Sequence, residues 1–182
     1  MLGLKKGTVQ LCDHSEEWEL IAAQSVDFLK DIFGDTALDI QHTGSTAIKS
    51  IMAKPIIDIV VGVRDFDGVR SRLPALAEAG VVHRPSNDEY DYMMFVIGDM
   101  ENEIRTHHIH VVPHEGEEWT NQMNFRDYLN ARADVSKKYE ALKLHLMELN
   151  KNDRDSYTQG KQDFFLRTFK DAEKWREGLF AD

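Results

Sequence analysis

HTGSTAIKSIMAKPIIDIVVGV, residues 42 to 63, leaves one strand through a Gly-Ser turn and enters another that is apolar at nearly every position. The second half, Pro55 to Val63, is β-branched and apolar at both parities, as in a central strand covered on both faces. Asp58 interrupts it. A carboxylate in such a strand is seldom buried without a partner. Backbone donors or a lysine such as Lys54 would satisfy it, but a functional site is the favoured reading. The Gly44-Ser45 turn lets the backbone approach a ligand closely, and its N–H groups and hydroxyl suit phosphate oxygens. Asp58 on the adjoining strand is then placed to hold a divalent metal bridging those phosphates. The plainer alternative is a turn with no ligand.

Outward from this stretch, Leu38 to His42 alternates apolar and polar, as a strand with one wet face does. Before it, Trp18, Ile21, Ala22, Leu29, Ile32 and Phe33 recur at helical spacing and predict a helix from about Ser15 to Phe33. Asp13 and Glu16 form a capping-box pattern, and Gly34 is the stop. After the central strand a helix is expected over about Asp65–Ala79, started or kinked by Pro74. Tyr90–Ile97 and Glu103–Val112 read as an antiparallel hairpin about the turn at residues 98–102. From Trp119 the chain is helical, with breaks near Ala133-Asp134 and Asn152-Asp153. The predicted class is α+β (mixed α/β), a mixed and partly antiparallel sheet flanked by helices. One domain spans 1–182, with a core over about 1–115 and a helical extension over about 116–182.

RTHHIHVVP, residues 105 to 113, carries the second cluster. Period-two alternation puts His108 and His110 on one face, and Arg105 and His107 on the other. Two imidazoles so spaced can share a metal or an anion. Beside the Asp58 strand with matching faces, they would converge on its carboxylate. Tyr157 and Lys161, four apart on the last helix, face the same way, and Lys161 is placed to reach a phosphate, a solvated lysine on a surface helix being the commoner alternative.

The 182-residue chain has a formal net charge of −10, against a nonspecific nucleic-acid or anionic-membrane binder, while leaving small anionic ligands open. Its one cysteine, Cys12, excludes an internal disulfide and a cysteine-cluster zinc site. No stretch reads as a signal peptide or a membrane span, so the expected location is the cytoplasm.

The segments 42–63, 105–113 and FRDYL (125–129), with Tyr139, Lys143, Tyr157, Lys161 and Phe164, resemble the GrpB family. That bacterial group lies within the superfamily of nucleotidyltransferases related to DNA polymerase beta. The resemblance implies a nucleotidyltransferase-type fold in which metals on strand carboxylates align a triphosphate held by the Gly-Ser turn. Carried onto this chain, it implies Gly44-Ser45 as the turn and Asp58 as the first acid, with His108 or His110 in place of a third. Together with the residue readings, the candidate set is Gly44, Ser45, Thr46, Lys54 and Lys161 for phosphate, and Asp58, His108 and His110 as catalytic and metal-holding groups. Mg²⁺ is the implied ion, with Zn²⁺ or Mn²⁺ open if the histidines coordinate. The motif's second acid is replaced by Val60, and Lys49-Ser50 stands where relatives often carry Pro-Gly. Nucleotidyl transfer from a nucleotide to a small acceptor is the leading expectation. A metal-dependent phosphate-ester hydrolase using Asp58, His108 and His110 is one alternative. A non-catalytic nucleotide- or coenzyme-binding module, favoured by Val60, is the other. The ligand is expected to be a nucleotide or phosphorylated small molecule, without nucleic acid or membrane. The apolar tail permits an oligomer without indicating one.

Overall fold

The computed structural model describes residues 2–151 and 153–179. Its centre is a mixed sheet of six strands: β1 (Leu4–Lys5), β2 (Ala37–Thr43), β3 (Ile57–Val63), β4 (Val82–His83), β5 (Met93–Asp99) and β6 (Ile104–Pro113). The order is β2-β3-β6-β5-β4, with β1 joined to the start of β6. β3 and β6 run parallel, while β2 pairs β3, and β5 pairs both β6 and β4, antiparallel. β1 and β4, two residues each, are too short to show a periodicity. β5 begins at Met93, not Tyr90, because Glu89 and Tyr92 close a tight bridge just before it.

One face of the sheet carries the main core. Ile57, Ile59, Val61 and Val63 of β3 and Ile109 and Val111 of β6 pack against two helices, α1 (Glu17–Phe33) and α2 (Phe66–Glu78). α1 brings Trp18, Ala22, Leu29 and Phe33 to that core. The expected capping box does not form. Glu16 is already helical and makes no side-chain cap, and the first turn is closed by the Trp18 N–H bonding the Ser15 carbonyl at 3.0 Å. α2 is capped by Asp65, whose Oδ1 accepts from the Gly68 N–H at 2.8 Å. Pro74 neither starts nor ends α2. It removes one backbone bond, and the fully buried Val69 and Leu76 hold both halves on the core.

The opposite face meets the C-terminal helices α3 (Glu117–Ala131), α4 (Ala133–Leu149), α5 (Arg154–Gln159) and α6 (Gln162–Gly178). The first break falls at Arg132, one residue before the expected one. Of the second, Asn152 lies outside the described residues, and Asp153 caps α5 through the Ser156 N–H. Phe125, Tyr128, Leu129, Tyr139 and Ala172 bury Ile48 and Ile51. The long β2–β3 connection is thus pinned to the helices. Asn130 donates to the Ala47 carbonyl at 2.9 Å, Glu140 accepts from the Met52 N–H at 2.6 Å, and the buried Lys143 ammonium donates to the Met52 carbonyl. Among the described residues no helix is long and apolar enough to cross a membrane.

Candidate functional site between the sheet and the helices

Parallel pairing of β3 with β6 sets Asp58 beside His108 and Val60 beside His110. All four side chains leave the sheet on the face turned toward the C-terminal helices, since their neighbours at odd positions fill the other core. His108 Nδ1 lies 3.1 Å from Asp58 Oδ1, and His110 Nε2 lies 3.6 Å from the same oxygen. Asp58 keeps 24% of its side chain exposed.

The proton positions follow from the partners. Burial drives the His108 pKa down more than Asp58 raises it, so the ring is neutral. It donates Nδ1–H to the carboxylate and turns its Nε2 lone pair to Arg154, whose guanidinium lies 3.5 Å away. Tyr92 donates its hydroxyl to His110 Nδ1 at 2.7 Å, burial holding the phenol well above its ordinary pKa. That leaves His110 Nε2–H aimed at Asp58. Burial alone would raise the Asp58 pKa, but the hydrogen bonds from His108 and His110 outweigh it and hold the carboxyl ionised.

These three side chains therefore meet as a hydrogen-bonded set, not as the metal-holding group implied by the resemblance. Both imidazole nitrogens nearest the carboxylate carry protons toward it. Among the described residues no group of three or more His, Cys, Asp or Glu side chains could hold a metal ion. Val60, at the second-acid position, is fully buried with Val112 and Trp119. The donor set does not fit a two-metal centre.

The phosphate candidates divide. Gly44, at φ +67°, crosses directly over the Asp58 carboxylate, and Ser45 beside it is half-buried. Thr46 leaves the set: it is fully buried and its hydroxyl bonds His42 Nε2 at 2.9 Å, so it fastens the turn from inside. Lys54 and Lys161 both pack on the Tyr157 ring, at 4.7 Å and 4.9 Å from its centroid. Burial lowers the Lys54 pKa to about 7, with Lys161 and Arg154 adding to the shift and Asp58 opposing it. Burial likewise lowers Lys161 to about 8. Neither ammonium has an ion-pair partner among the described residues.

Two further corrections concern the β6 histidine segment. His107 faces α1, bonding Ser25 at 3.0 Å and Thr106 at 2.8 Å, and takes no part in the site. Arg105 does not share that side. β5 pairs Ile97 with His107 and then Gly98 with Arg105, so Thr106 is an extra residue that returns Arg105 to the site face. Tyr92 and Arg154 were absent from the sequence-based set. Arg154 lies 46 positions from His108, and no local pattern could have joined them.

A Gly-Ser turn feeding an acidic central strand, in a mixed sheet backed by helices, defines the nucleotidyltransferase type of fold. Cid1 in complex with its short product ApU matches at a TM-score of 0.54 and 10% identity, over 75% of this chain and 42% of that one, a likeness of fold alone. The chain belongs to the GrpB family, described as GrpB protein, which matches residues 8–171. Glutamate-rich protein GrpB of Alkalihalophilus pseudofirmus is 45% identical over 90% of this chain and 95% of its own. UPF0157 protein YqkA of Bacillus subtilis is 29% identical over 95% of this chain, which spans 50% of that relative. The crystal structure of conserved protein GrpB from Enterococcus faecalis superposes with a TM-score of 0.84 at 24% identity, over 92% of this chain and 99% of that one.

Proposed function

We propose that the chain binds a nucleotide or similarly phosphorylated small molecule between β3, β6 and the C-terminal helices, through charge and hydrogen bonding and without a metal pair. The observation that carries this reading is the set of cations around Asp58. In a chain of net charge −10, Lys54, Lys161 and Arg154 gather at one carboxylate, repel one another and lack an ion-pair partner among the described residues. An anionic ligand relieves that repulsion. Its phosphates would meet Lys54, Lys161 and the Gly44-Ser45 turn, with Asp58 and its histidines orienting the remainder. Titration calorimetry with ATP and inorganic triphosphate tests this. Binding should persist without Mg²⁺ and weaken about tenfold in Lys161→Met. No heat from either probe would sink the proposal. Asp58→Asn should bind at least as tightly as wild type, whereas a metal-anchored site would lose binding.

The lysines also fix a pH dependence. Lys54 and Lys143, lowered to about 7, and Lys161, lowered to about 8, are buried groups whose neutral forms the folded state favours. Above their folded values the unfolded chain binds more protons, so stability rises from about pH 7 toward the ordinary lysine range near 10. Beyond it, unfolded tyrosines ionise while buried Tyr139 and Tyr157, raised by burial, resist, and stability falls again. Affinity for inorganic triphosphate should move oppositely, falling above about pH 8 as the ammonium groups lose protons. Melting temperatures and calorimetric titrations between pH 7 and 9.5 would show the two trends crossing. Parallel trends would remove the lysines from the ligand site.

A further inference from the structure

Next to the Asp58 site lies a groove of about 770 Å³ lined by Arg84, Arg105 and Arg154, with Met94 and Phe165 as apolar walls and Lys6 at the rim. The three arginines come from three separate parts of the fold. Arg84 follows β4, Arg105 is the second residue of β6, and Arg154 begins α5. Their convergence depends on the Thr106 bulge. Without the extra residue, Arg105 would lie on the face of His107, under α1. The bulge is locked from both sides of the residue: the Thr106 hydroxyl donates to the Ile97 carbonyl at 3.1 Å and lies 2.8 Å from His107 Nδ1.

The guanidinium groups have no ion-pair partner among the described residues, in contrast to Arg126, Arg132 and Arg176, each held by an aspartate. Two aspartates do border the groove. Asp153 is spent on capping α5 through the Ser156 N–H and hydroxyl, and Asp155 is exposed to solvent. Burial lowers the Arg105 pKa, and Arg84 and Arg154 lower it further, against an opposing pull from Glu103. At its inner end Arg154 approaches His108 at 3.5 Å, and His108 in turn bonds Asp58 at 3.1 Å. One imidazole therefore separates the groove from the carboxylate.

We propose that this groove is a second phosphate subsite, so that the ligands of the Asp58 site carry two phosphate groups held at different places. This rests on the phosphate-binding reading above, and it narrows the ligand to a bis-phosphorylated small molecule, or to a nucleotide accompanied by a phosphorylated second reactant. Three guanidinium groups supply the fork-shaped donors and the charge that a phosphate dianion requires, more than a carboxylate needs. Lys54 and Lys161 hold the first phosphate, and Arg84, Arg105 and Arg154 hold the second. His108 lies between Asp58, at its Nδ1, and Arg154, at its Nε2.

The test is titration calorimetry with inorganic pyrophosphate on the full chain. Wild type should take up about two equivalents. The double variant Arg84→Met/Arg105→Met should drop to about one, and Lys161→Met should lose the other equivalent instead. Thermal melting of each variant checks that the fold is kept. Should Arg84→Met/Arg105→Met melt early, Arg84→Met alone, whose side chain lies outside the central strands, should still weaken the second equivalent about tenfold. A single equivalent in wild type, or two equivalents retained by the arginine variants, overturns the second subsite. Loss of one equivalent in the arginine variants with no change in Lys161→Met would leave the groove standing and overturn the lysine site instead.

Discussion

Val60→Asp, the substitution that would rebuild the missing acid of the two-metal motif, is expected to destabilise the protein by about 3–5 kcal/mol. Val60 is fully buried and packs with Val112 and Trp119, beside Tyr92 and Met123. Its register partner His110 cannot serve a second carboxylate, since Tyr92 takes Nδ1 and Asp58 faces Nε2. The new charge would lie against apolar walls with no donor free to meet it. Urea unfolding should show a lower midpoint at an unchanged slope. A variant as stable as wild type that acquired Mg²⁺-dependent nucleotide binding would show that the pocket accepts a second acid, and the metal-free reading would fall.

Gly44→Ala should cost about 3 kcal/mol and remove the anion site with it. At φ +67° and ψ −169° the backbone occupies a region that glycine alone enters freely. A methyl group there would clash with Asp58 Oδ2 and stand 2.7 Å from Asp58 Cβ. The second contact is with an atom fixed to the backbone, so no rotamer change relieves it. β2 and the turn must move off β3, or Asp58 must leave its histidines. Gly80→Ala is the control for a positive φ without a clash, with φ +79° and nothing within 4 Å of the added carbon. Backbone strain without the clash would leave inorganic triphosphate binding intact in both. The expected result is a larger loss at Gly44, together with loss of binding.

The central strand was legible because Ile56 to Val63 is apolar at both parities, which few other structures demand. The approach of His108 and His110 to Asp58 followed from alternation once the two strands were taken as neighbours. Where local rules were trusted further, other forces intervened. Asp13 and Glu16 have the letters of a capping box, yet the backbone at Ser15 closes the turn first. Thr46 has the hydroxyl of a phosphate ligand, and His42, neutral because burial lowers its pKa to about 4, takes that hydroxyl for itself. Arg105 went to the wrong face because one inserted residue, Thr106, shifts the parity without leaving any mark in composition. Tyr92, Arg84 and Arg154 join the site through tertiary packing alone, so nothing in their own neighbourhoods distinguishes them.

The parallel β3–β6 pairing also governs how the site comes into being. β5–β6 is joined antiparallel across the short turn 100–103 and β2–β3 across the longer connection 44–56, whereas Asp58 and His108 stand 50 residues apart. Closing that longer loop bears the greater entropic cost, so the two local ribbons form readily and their docking edge to edge is the slow event. The carboxylate arrives on one ribbon and the imidazoles on the other. Before docking, neither half has the proposed site, and a nascent chain cannot bind the proposed anion until β6 and the helices that follow it have been made. Binding activity during refolding is therefore a reporter of the joining of the two halves, and it should lag behind the recovery of secondary structure.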